Sequence, residues 1–190
     1  VEEAKVEFKD KTTNGCFAPW MMYKDDFISI GGHDSRFASA REDSDVFNRL
    51  SLGGFELIQS WQSFVYHLTA RGGQFQHGKV TKDESQKSEE WQKLRKWGTP
   101  VLHDNLLKPI VPPKYDIGFV VNNCNEQILE TLEPWCSTIY VDTFAQDYID
   151  REQPNTTDNL NKKIYSIDTD VQNDIEVRFD GSKLNNQNFN

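Results

Sequence analysis

Three carboxylates crowd into four consecutive residues at Glu42, Asp43 and Asp45, and they head a short amphipathic run. Val46, Phe47 and Leu50 recur at helical spacing and Gly53-Gly54 follows. The pattern predicts a helix starting at Ala40 or Arg41, with Ser39 and Glu42 forming a capping box. On that helix Asp43 falls on the face of Val46, Phe47 and Leu50. A carboxylate at the head of a buried face is costly unless it has a partner or a chemical task, so Asp43 is a candidate catalytic group. Structural tasks fit the same residues. Glu42 serves a capping box, Asp45 and Arg49 are spaced for a solvated helix pair, and Asp43 suits the positive end of a helix dipole.

Other chemistry-bearing residues lie on either side. Trp20, in the apolar run CFAPWMM, offers an aromatic face for a sugar ring and equally a core side chain. Gly31-Gly32 lets a ligand or another backbone approach closely, because neither residue has a side chain. His67, between Tyr66 and Leu68 on an expected strand, is by itself an ordinary structural histidine, although neutral imidazole also suits Mn²⁺ or Zn²⁺. Arg71 opens the glycine-rich stretch RGGQFQHG. That stretch is no nucleotide-binding fingerprint, and it reads as a surface loop or as a mobile loop whose arginine grips a diphosphate.

These groups need elements to hold them. Residues 1–13 predict an edge strand or a frayed lead-in, and Pro19 makes CFAPWMM an edge strand or a strand-to-helix junction. A short helix is expected over Lys24–Ile30, and strands over Phe55–Trp61 and Ser63–Thr69. Lys82–Lys96 reads as a polar helix with a narrow Trp91/Leu94 stripe, stopped by Gly98 and closing across the first unit. Four prolines between Thr99 and Pro113 mark a connection. Beyond it, YDIGFVV, a helix capped by Asn125 and STIYV predict a parallel βαβ unit, with Asn122, Asn123 and Asn125 at its carboxyl edge. A helical turn over Ala145–Asp150, strands near Lys163–Ile167 and Ile175–Phe179, and a disordered Asn-rich tail from Leu184 complete the expectation.

The run from Asn14 to Thr69 resembles the acceptor-side half of GT-A-type glycosyltransferases, the family 2-like enzymes and their galactosyltransferase relatives. NGCFAPWMMYKDDFISIGGHD, EDSDVFNRL and VYHLT carry the likeness. The resemblance implies that Asp43 is the catalytic base on an acceptor hydroxyl, with Glu42 and Asp45 as its neighbours. It further implies that His67 is a ligand of a divalent metal, Mn²⁺ or Mg²⁺, and that Trp20, Gly31 and Gly32 line the sugar site. The implied fold is α/β: a GT-A-like C-terminal half, a mixed sheet with short helices over 1–108, followed by a smaller βαβ unit over 109–190. The family's nucleotide-binding half, expected before Asn14, is not among these 190 residues. Asp168-Thr169-Asp170 follows the acidic motif instead of preceding it, so it is not assigned to the metal.

Composition limits the alternatives. With 36% hydrophobic and 12% aromatic residues the chain is expected to fold, and a net charge of −9 excludes a broad nucleic-acid or anionic-membrane surface. Three cysteines without metal-type spacing, no signal peptide and no apolar run near about 18 residues point to a cytoplasmic chain without a membrane span. The expected function is transfer of a sugar from a nucleotide-sugar donor to a carbohydrate acceptor, metal-assisted and inverting. The alternative is a carbohydrate-binding or interaction module derived from a truncated transferase. A metal-dependent hydrolase using Asp43, Asp45, His33 and His67 ranks last.

Overall fold

Glycine-terminated helices and one parallel sheet organise the chain in a computed structural model, which describes residues 2–37, 40–63, 65 and 82–184, and for 82–88 the backbone alone. The expected strand over Ser63–Thr69 falls mostly outside the described residues, as do Ser39 and the tail from 185 onward. Two compact units emerge: Val1–Glu90 with Pro100–Pro112, and Trp91–Thr99 with Pro113–Asn190. Together they give a mixed α/β chain of short helices and a four-stranded parallel sheet.

The first unit opens with a helix, α1 (Glu2–Glu7), where a strand or a frayed lead-in was expected. Glu2 and Glu3 favour the helix N-terminus, and Lys5 Nζ reaches Glu2 Oε1 at 2.9 Å. Strand β1 (Thr12–Asn14) follows, and CFAPWMM runs as irregular backbone into α2 (Lys24–Ser29). Next come α3 (Glu42–Leu52) and β2 (Ile58–Ser60), shorter than the expected strand and antiparallel to β1 with Thr12 opposite Ser60. Both α2 and α3 end in the same way. Gly32 N–H donates to Phe27 O and Gly31 N–H to Ile28 O; Phe55 N–H donates to Leu50 O and Gly54 N–H to Ser51 O. Each is a Schellman closure around a left-handed glycine, Gly31 at φ 89° and Gly54 at φ 79°.

The small core of this unit is Val46, Phe47 and Leu50 of α3, flanked by Cys16, Trp20, Met22, Phe27, Ile30, Phe55 and Leu57. Segment Pro100–Pro112 returns to it through a narrow crossing. Gly15 sits at φ 143°, and a Cβ there would lie 1.7 Å from Leu106 O. Cys16 N–H donates to Leu107 O at 3.3 Å beside that contact.

Helix α4 (Lys82–Trp97) forms as expected and stops at Gly98, φ 68°. Its last turns, from Trp91, belong to the second unit. The reason is electrostatic. Arg95 is buried, and its Nη2 lies 2.6 Å from Glu133 Oε2 while Nη1 lies 2.9 Å from Glu152 Oε1.

The second unit contains β3 (Ile117–Asn122), α5 (Glu126–Leu132), β4 (Thr138–Val141), α6 (Gln146–Glu152), β5 (Ile164–Ser166) and β6 (Ile175–Asp180). Asn125 caps α5 as expected, its side chain accepting from Ile128 N–H at 2.9 Å. All four strands are parallel, in the order β5-β4-β3-β6. Val121, Ile139, Val141 and Ile164 on one sheet face pack with Ile128, Leu129 and Leu132 of α5 and with Tyr148 and Ile149 of α6. The crossover from β5 to β6 runs the other way along the sheet. Right-handed connection then requires the opposite face, and Asn173 is found there against Gly118, Thr138 and Tyr140.

Beneath α5 and α6, Glu133 is wholly buried and collects Arg95, Lys163 Nζ at 2.7 Å and the Tyr148 hydroxyl at 3.0 Å. Burial opposes its charge, but the Lys163 charge and the Arg95 hydrogen bonds outweigh it and hold the carboxyl below the ordinary 4.5.

Two outcomes follow from this architecture. Gly15→Ala forces a backbone overlap and is expected to lose about 3 kcal/mol in urea denaturation, whereas Gly54→Ala, with open space, loses about 1 kcal/mol. Because Glu133 is more acidic folded than unfolded, its contribution is present above pH about 4.5 and fades as pH falls further. Acid titration of stability should steepen below that point, and Glu133→Gln should start less stable and lose that steepening.

Candidate functional site

Helix α3 starts later than its sequence suggests. Arg41 adopts a left-handed backbone, φ 67°, and its Nε bonds Glu90 Oε2 at 2.7 Å. Arg41 stands at the N-cap without a side-chain capping bond, Glu42 is the first helical residue, and Ser39 of the expected capping box lies outside the described residues. The three acids therefore occupy the first turn, where the exposed N–H groups and the helix dipole favour negative charge. Asp45 N–H donates to Arg41 O at 2.9 Å, the first bond of the helix.

Within that turn the acids have separate surroundings. Asp45 is fully buried, and Arg49 holds it with Nε at 2.9 Å and Nη2 at 2.8 Å from Oδ2. The expected solvated pair is thus a buried one. Its third partner explains why: Arg49 Nη1 donates to Ile30 O at 2.5 Å, tying α3 to the end of α2 just before Gly31-Gly32. Sequence spacing shows the i,i+4 pair but not this long-range acceptor.

Asp43 is half-buried. Its Oδ1 accepts from Ser44 N–H at 2.6 Å and from Ser44 Oγ–H at 3.2 Å. Among the described residues no lysine or arginine forms an ion pair with it, which leaves carboxylate acceptor capacity for an incoming hydroxyl. Glu42 lies half-buried beside it. Cys16, on the loop after β1, feels the same charge: burial first, then Asp43, pushes its thiol up to about 11.

Trp20, in the irregular run before α2, is half-buried and packs against α3. Its ring meets Phe47 edge-on at 5.8 Å and lies 6.1 Å from Phe27 and 6.2 Å from His33. It is both a flank of the small core and partly open to solvent. Gly31 is exposed and Gly32 half-buried above Phe27. His33 is exposed with its ring edge-on to Phe27 at 5.1 Å. His67 and Arg71 lie outside the described residues. Among the described residues no three side chains of metal-binding type converge; Asp43, Asp45 and His33 form no such group, and His67, the fourth residue of the hydrolase set, lies outside them.

The second unit presents a polar edge at the carboxyl ends of its strands. Asn123, at φ 52°, bends the chain after β3. Its N–H donates to Asp142 Oδ2 at 2.6 Å and the Cys124 N–H to Asp142 Oδ1 at 2.9 Å. The Asn123 amide donates to Asp180 Oδ1 at 3.0 Å, and Ser182 donates to the same oxygen through its hydroxyl at 2.6 Å. Hydrogen bonds from Ser182 and Asn123 hold the Asp180 carboxyl down at about 2. Sequence reasoning placed Asn122, Asn123 and Asn125 here but missed Asp142 and Asp180. Both stand at the carboxyl end of a strand-type run, STIYV and the β-branched and aromatic alternation of IEVRF, which is the signal that marks them. Asp168 and Asp170 are exposed beyond β5, with Ser166 Oγ 3.4 Å from Asp168 Oδ2.

No helix among the described residues is long and apolar enough to cross a membrane. No family model matches the chain, and neither a curated protein nor a solved structure matches it.

Cys16 offers a direct readout of the Asp43 charge. Its alkylation by iodoacetamide, resolved by peptide mass spectrometry, should rise with pH toward about 11, and Asp43→Asn should shift that rise to lower pH. An unchanged profile would show that the two groups do not interact.

Proposed function

We propose that the first unit is the acceptor-side part of a GT-A-like glycosyltransferase, with Asp43 as the base that activates an acceptor hydroxyl. One observation carries the proposal: within the acidic turn, Asp45 is consumed by Arg49, whereas Asp43 is half-exposed without a described cationic partner. A base must reach the proton it removes and must not be neutralised by a fixed ion pair. In the proposed step Asp43 takes the proton of the acceptor hydroxyl as its oxygen forms a bond to the anomeric carbon. The bond from that carbon to the donor's diphosphate breaks, and the configuration inverts. Trp20 would stack on a sugar ring, and Gly31-Gly32 would let it approach the backbone.

A divalent cation, Mn²⁺ or Mg²⁺, would take up charge on the departing diphosphate, with His67 as its ligand and Arg71 as a second cationic partner. The described residues supply no complete ligand set for that ion, and the step assigned to Asp43 does not run through it.

The strand order of the second unit favours a further reading, in which it is the nucleotide-binding part. Chain progress from β3 to β4 to β5 reverses to β6 on the other side of β3. Open parallel sheets take ligands outside their carboxyl ends at such a reversal, and an acid there accepts from ribose hydroxyls. Asp142, at the end of β4, and Asn123, at the end of β3, stand at that edge. The nucleotide part would then follow the acceptor part along the chain, the reverse of the order in the family it resembles.

Calorimetric titration of UDP, with and without Mn²⁺, into the intact chain and into Asp43→Asn, His67→Ala and Asp142→Asn separates these statements. UDP binding is expected for the parent and Asp43→Asn chains and is expected to weaken at least tenfold in Asp142→Asn. Loss in His67→Ala only when Mn²⁺ is present would support the metal assignment. With UDP-sugars and a glycan panel, Asp43→Asn is expected to bind donor and transfer nothing. An Asp43→Asn chain that still transfers sugar would overturn the base, and UDP binding unaffected by Asp142→Asn would overturn the nucleotide site.

A further inference from the structure

We draw no further inference here: the strongest remaining candidate, the exposed apolar side chains Phe17, Met21 and Tyr23 on the loop between β1 and α2, carries nothing because nothing in the structure shows what covers them.

Discussion

A carboxylate removed from water must be given a cation and hydrogen bonds, or it will protonate or unfold its surroundings. Each unit of this chain is built around one instance of that constraint. In the first, Asp45 and Arg49 are sealed together, and the spare guanidinium nitrogen reaches Ile30 O. In the second, Glu133 gathers Arg95 of α4, the Tyr148 hydroxyl of α6 and Lys163 just before β5. Such pairs add little net stability over a packed apolar core, but removing one partner is expensive. They therefore fix which segments must come together more than how tightly they do so.

That constraint also sorts the acidic turn at the head of α3. Three neighbouring carboxylates look equivalent along the sequence, yet the fold gives them different environments. Burial and Arg49 commit Asp45 to holding α2 against α3. Asp43, two residues earlier, faces partly outward with Ser44 as its described hydrogen-bond donor. The same helix face carries Phe47, on which Trp20 leans, so the aromatic side chain and the open carboxylate share one supporting element. A chemical role for Asp43 rests on this separation of tasks.

Much of the second unit was legible in its sequence because each local signal agreed with the global one. YDIGFVV and STIYV are apolar runs of strand length, Asn125 is a good helix cap, and a βαβ crossover has one favoured hand. The first unit was less legible where local patterns were ambiguous. The triplet around Val6 reads alike as a strand or as part of a helix, and the Glu2–Lys5 pairing favoured the helix. The start of α3 depends on Arg41, whose left-handed backbone accompanies a bond to Glu90 across 49 residues. Arg95 was similarly hidden. Its acid partners lie 38 and 57 residues away, a distance over which periodicity carries no information. Within the candidate site, residue types and spacing identified the acidic turn. Only burial distinguished the structural acid from the available one.

The most direct test of that distinction is a pair of urea denaturation curves, for Asp43→Asn and Asp45→Asn, measured against the parent chain at neutral pH. Breaking the buried pair at Asp45 should remove about 3 kcal/mol, since Arg49 is left without its carboxylate. Replacing the half-exposed Asp43 should stay within about 0.5 kcal/mol of the parent. Equal losses, or a larger loss at Asp43, would mean that Asp43 is the structural acid, contradicting its assignment as the group free to do chemistry.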